Sequence, residues 1–67
     1  MKKPYELSYK LYNGKIFSRN FETLEQAMED YKKLVVIKMI NEVIVTYLPE
    51  WKVKVMYNKH NQRRYKK

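Results

Sequence analysis

Apolar and polar positions change period twice along this 67-residue chain, from two to 3.6 and back to two. Residues 5–12 alternate, with Tyr5, Leu7, Tyr9 and Leu11 against Glu6, Ser8 and Lys10. That is the pattern of a half-buried strand. Asn13-Gly14 follows, a strong hairpin signal because both residues tolerate positive φ, and residues 15–21 return as a second strand. A two-residue loop would pair Leu7 with Asn20 and Lys10 with Phe17, mixing apolar and polar on both faces. A three-residue loop with Gly14 as the bulge residue pairs Leu11 with Lys15, Tyr9 with Phe17 and Tyr5 with Phe21. One face then becomes nearly all apolar, so the bulged hairpin is expected.

Residues 23–35 carry the helical period. Leu24, Ala27, Met28, Tyr31, Leu34 and Val35 fall on one stripe. Thr23 with Gln26 three residues later makes a capping box, acids gather near the start, and Lys32 and Lys33 fall in the last turns, where the helix dipole favours cations. The stripe fails beyond Val35, because the next positions on that face are Lys38 and Glu42. Residues 36–41 are therefore expected to form a connector, the rival being a helix that runs on to Met39 or Ile40. Residues 42–48 read as a third strand, Pro49-Glu50 as a turn, and residues 51–57 as a fourth strand. A two-residue loop there pairs Leu48 with Trp51, Thr46 with Val53 and Ile44 with Val55.

The expected fold is α+β: one ββαββ domain over residues 1–57, a four-stranded, mostly antiparallel sheet with one helix on one face. A basic tail, residues 58–67, follows. A chain of this length has room for one core, and its stability is expected to be marginal without a supplement. There is no cysteine, so neither a disulfide nor a thiolate-bound zinc supplies one. Pro4-Tyr5-Glu6-Leu7-Ser8 is no signal-peptide core, and residues 34–48 contain Lys38, Asn41 and Glu42, so no membrane span is expected. The expected setting is cytoplasmic.

Charge sharpens the functional picture. The formal net charge is +8, yet residues 5–57 hold eight basic residues against all seven acids. The excess lies in Lys2 and Lys3 and in Lys59, Arg63, Arg64, Lys66 and Lys67. Such ends neutralise phosphates, and Tyr65 can stack on a base. The first expectation is thus a small non-enzymatic nucleic-acid-binding module, with Lys2, Lys3, Lys59, Arg63, Arg64, Tyr65, Lys66 and Lys67 as its contacts. In the registers above, the sheet face away from the helix displays Lys10, Tyr12, Ile16, Val43, Val45, Tyr47, Lys52, Lys54 and Met56. An uncovered face of this kind suits a protein partner or a second copy of the chain. The alternative expectation is therefore a protein-binding module docking through that face or an edge strand. One such module would be a virus- or mobile-element-encoded inhibitor of a larger nucleic-acid-processing enzyme, of the anti-CRISPR or host-takeover type.

Catalysis is not expected. The one histidine, His60, falls in the tail, and Gly14, the one glycine, is committed to a turn and cannot cradle a phosphate. Glu25, Glu29 and Asp30 are balanced by Lys32 and Lys33 and read as a solvated helix face, not a metal site. No cofactor is expected.

Overall fold

The computed structural model describes residues 2–59; His60, Arg63, Arg64, Tyr65, Lys66 and Lys67, which the sequence assigns to a basic tail, lie outside the described residues. The elements are β1 (Tyr5–Leu11), β2 (Ile16–Phe21), α1 (Leu24–Leu34), β3 (Ile40–Tyr47), a short 3-10 turn (Leu48–Glu50) and β4 (Lys52–Asn58). The four strands form one sheet in the order β2-β1-β3-β4, antiparallel at every pairing. Helix α1 lies over β1, β2 and β3. This is the ββαββ, α+β architecture expected from the pattern.

The first hairpin forms in the bulged register. Tyr5 pairs with Phe21 and Tyr9 with Phe17, and the Leu11 amide donates to the Lys15 carbonyl at 2.9 Å. Gly14 sits at φ 94°, where a side chain would be strained. The Asn13 side chain fixes the turn by accepting from the Lys15 amide at 3.0 Å.

Helix α1 starts where its cap demands. Thr23 Oγ1 accepts from the Gln26 amide at 3.2 Å, and Gln26 Oε1 accepts from the Glu22 amide at 3.1 Å. The box thus closes one residue further back than the usual reciprocal pair. The helix stops at Leu34, with Val35 as its C-cap. Two turns follow, Ile37 amide to Leu34 carbonyl and Ile40 amide to Ile37 carbonyl. The chain then enters β3 two residues earlier than the connector 36–41 predicts.

The third and fourth strands depart from the expected register. Thr46 does pair with Val53, but beyond that a bulge at Lys54 shifts the ladder, so Val45 meets Val55 and Ile44 meets Met56. The loop holds four residues, Leu48 to Trp51, because Tyr47 pairs with Lys52 and not Leu48 with Trp51. Its last residue turns left-handed, and Trp51 stands there at φ 50° and ψ 42°. Trp51 is the one non-glycine residue with positive φ among the described residues.

The core follows from the pairing of β3 with β1. Val45 lies opposite Leu7, and both are completely buried with Val43, Ala27 and Ile40. Tyr5, Tyr9, Phe21, Leu24, Tyr31, Leu34, Val55 and Tyr57 pack around them. Each fully buried Leu, Ile or Val side chain contributes about 1.5–3 kcal/mol. Val43 and Val45 are therefore core residues, not members of the exposed sheet face as predicted. Turning Glu42, Ile44 and Thr46 inward would bury a carboxylate and a hydroxyl beneath the helix. The bulge at Lys54 then lets Val55 and Tyr57 keep the inward side on β4.

Candidate nucleic-acid interface

Each strand and the helix contribute to one end of the sheet. The hairpin loop 12–15, the last turn of α1, the loop 35–39 and the end of β4 all meet there. Lys10 lies on the last turn of the β1 ladder, Lys15 follows the hairpin loop, and Lys32 and Lys33 close α1. Lys38 lies in the loop before β3, and Lys59 follows β4. All but Lys59 are exposed, and the carboxylate set among them, Glu42, accepts from the Asn58 side-chain amide at 2.9 Å. At the opposite end lie Glu6, Glu22, Glu25 and Glu50. Arg19, Lys52 and Lys54 lie toward that end as well, so it carries mixed charge, whereas the end with the hairpin loop 12–15 carries a cationic excess.

Lys59 is partly withdrawn from that set. Its ammonium donates to the carbonyl oxygens of Ile37 and Lys38, each at 3.2 Å, and sits 5.6 Å from the centre of the Tyr12 ring. The Tyr12 amide in turn donates to the Met39 carbonyl at 3.1 Å. The predicted phosphate contact therefore also ties three loops together, and β4 extends one residue past the expected boundary at 57. Beside it, Asn41 occupies a bulge in β3, and its buried Oδ1 has no hydrogen-bond partner among the described residues.

Lys2 and Lys3 are exposed but stand at the other end of the sheet from Lys59. Lys3 borders a shallow depression with Arg19, Phe21, Glu22 and Gln26. The predicted nucleic-acid residues are therefore not gathered in one place. Lys2 and Lys3 are separated from the set that surrounds Lys59, and Arg63, Arg64, Tyr65, Lys66 and Lys67 fall outside the described residues.

The predicted open face is also redrawn. Lys10 and Ile16 pair on it, and Met56 lies on it opposite Ile44. Tyr47 shares the side of Val43 and Val45, its ring 5.1 Å from that of Tyr5. Lys52 lies opposite Tyr47, and the Lys54 ammonium is 5.7 Å from its ring. Tyr12 stands at the hairpin tip, beneath Lys59. The uncovered face carries Glu6, Ser8, Ser18, Asn20, Glu42 and Thr46 beside Ile16, Ile44, Val53 and Met56, so it is more polar than the sequence registers implied.

Sequence reasoning missed Lys15, Lys32, Lys33 and Lys38 as one group, since only the topology brings them together. Trp51, expected to pair with Leu48 as the first residue of the fourth strand, stands instead in the loop at the tip of the second hairpin and is 79% exposed. Among the described residues, no cluster of three or more His, Cys, Asp or Glu could hold a metal ion. No helix there is long and apolar enough to cross a membrane. Compared with known proteins, the chain matches no family model, no curated protein and no solved structure.

Proposed function

We propose that this protein is a non-enzymatic, cytoplasmic nucleic-acid-binding module whose phosphate contacts lie at the hairpin end of the sheet. One observation supports it above the others. Lys10, Lys15, Lys32, Lys33 and Lys38 stand exposed at the end where Lys59 leads into Arg63, Arg64, Lys66 and Lys67. Clustered cations of this kind bind phosphates by releasing counterions, so affinity falls steeply with salt. Lys2 and Lys3 are peripheral in this arrangement.

The test is a salt titration of the full chain against labelled single- and double-stranded DNA and RNA. Replacing Lys15 and Lys38 by Gln should lower the salt slope by about 1.4–1.8, the loss of two phosphate contacts. Replacing Arg63, Arg64, Lys66 and Lys67 by Gln should lower it further. Absence of binding by the full chain at low salt refutes the proposal.

A second function is favoured by Ile16, Val53 and Met56, which are 67%, 51% and 54% exposed on the uncovered sheet face. They suit docking on a larger protein, such as the nucleic-acid-processing target of an inhibitor, or on a second copy of the chain. A Met56→Lys variant that keeps nucleic-acid affinity but loses self-association in sedimentation separates the second copy from the first proposal.

A further inference from the structure

The second hairpin places a large aromatic side chain where its backbone conformation favours glycine or asparagine. The loop from Leu48 closes with its last residue in the left-handed region. Trp51 occupies that position at φ 50° and leaves 79% of its surface in solvent. A bulky residue at positive φ is an outlier, and such strain collects where function holds it in place. Core packing does not hold it there: Trp51 is not among the residues that pack on the core. It is also the chain's one tryptophan.

The strand that follows supplies the chemistry around it. Among the described residues, β4 is an edge strand with no neighbour on its outer side. From Trp51 to the C-terminus there is no Asp or Glu, while Lys52 and Lys54 are exposed within β4 and Lys59 follows it. Seven strand residues at about 3.3 Å each make a track of about 23 Å between Trp51 and the cationic end. The Lys54 ammonium lies beside the ring of Tyr47, the residue that pairs with Lys52, so both lysines of the track meet at Tyr47. A duplex buries its base faces, whereas a single strand offers them to an aromatic platform and its phosphates to the lysines beside it.

We propose that a single-stranded nucleic acid runs along the outer edge of β4, with one base stacked on Trp51 and its phosphates on Lys52 and Lys54. This rests on the nucleic-acid function proposed above and adds its strandedness and its path. DNA and RNA share the recognised chemistry, a stacked base and a phosphate backbone.

Because Trp51 is the sole tryptophan, its fluorescence reports the stacked base directly. The full chain is titrated with dT12, U12 and a 12-base-pair DNA duplex, and binding is measured in parallel by anisotropy of fluorescein-labelled copies. The expected result is Trp51 quenching that saturates with the anisotropy for dT12, U12 or both, and no quenching by the duplex. The two arms tell which sugar the track takes. Trp51→Ala should weaken binding about tenfold, within the range for loss of one stacked base, and leave the salt slope unchanged. Trp51→Tyr should restore most of the affinity. Lys52→Gln with Lys54→Gln should lower the slope by about 1.4. Should Trp51→Ala fail to fold, Trp51→Gly keeps the left-handed turn and serves in its place. Binding without quenching, with Trp51→Ala as tight as the parent, overturns the stacking site but leaves the function proposed above intact. Quenching by the duplex as strong as by dT12 overturns the single-strand assignment. No binding in any arm overturns both proposals together.

Discussion

Lys59 Nζ donates to the Ile37 carbonyl oxygen at 3.2 Å, which joins the end of β4 to the loop that leaves α1. The same ammonium reaches the Lys38 carbonyl and overlies Tyr12, so one cation satisfies two carbonyls and spans three segments of chain. A lysine held in this way has less freedom to follow a phosphate than Lys15 or Lys38, which are exposed beside it.

Replacing Lys59 by Met keeps the aliphatic stem and removes the donor. Stability should fall by about 1 kcal/mol, the net worth of a modest hydrogen-bonded contact. Amide exchange should quicken at Lys38 and Met39, where the loop loses its tie. Denaturant titration and hydrogen exchange check the two effects. The salt slope of nucleic-acid binding should change by less than one phosphate contact.

Val45 tests the redrawn sheet. It is completely buried opposite Leu7, so Val45→Lys would put an unpaired charge beneath α1 and should abolish folding. Val45→Ala should cost about 2 kcal/mol through lost burial and a cavity. Circular dichroism of the first and urea denaturation of the second check this. Were Val45 on the open face, either change would leave stability nearly unaltered.

The first half of the fold was legible because each local signal agreed with the next. Asn13-Gly14, the Tyr5 to Leu11 alternation and the Thr23 cap all point to one register and one helix start. The second half was not, because residues 42–48 offer apolar side chains on both faces: Val43, Val45 and Tyr47 on one, Ile44 on the other. Partner choice decided between them. The hairpin with β4 suggests one facing, but the pairing of β3 with Leu7 and Tyr9 of β1 imposes the other, and the bulge at Lys54 reconciles the two. The cationic end was invisible for a related reason. Lys10, Lys15, Lys33 and Lys38 are scattered in sequence, and only antiparallel return of the chain makes them neighbours.

Trp51 carries a conformational cost that stability measurements can expose. A non-glycine residue in the left-handed region costs about 1–2 kcal/mol. Trp51→Gly should therefore raise the urea midpoint by an amount equal to about 1 kcal/mol, since Gly takes φ 50° freely but loses more entropy on folding. The same variant should bind single strands more weakly. A gain in stability paired with a loss in affinity marks a residue retained for contact; a loss in both marks one retained for packing.

Tyr31 gives the pH dependence. It projects from α1 onto the core, and burial holds its hydroxyl above the ordinary value of about 10, with Tyr57 raising it further by charge repulsion. The folded chain therefore holds the Tyr31 proton more tightly than the unfolded chain does. Both states carry the proton below the unfolded value, so the contribution is fully present there, and it is lost as pH rises through the higher folded value. Stability should be flat in this respect at neutral pH and decline above about pH 10. Tyr31→Phe removes the proton and should flatten that alkaline decline relative to the parent chain. Denaturation midpoints of both proteins between pH 8 and pH 11.5 make the comparison; identical alkaline slopes would refute the role given to Tyr31.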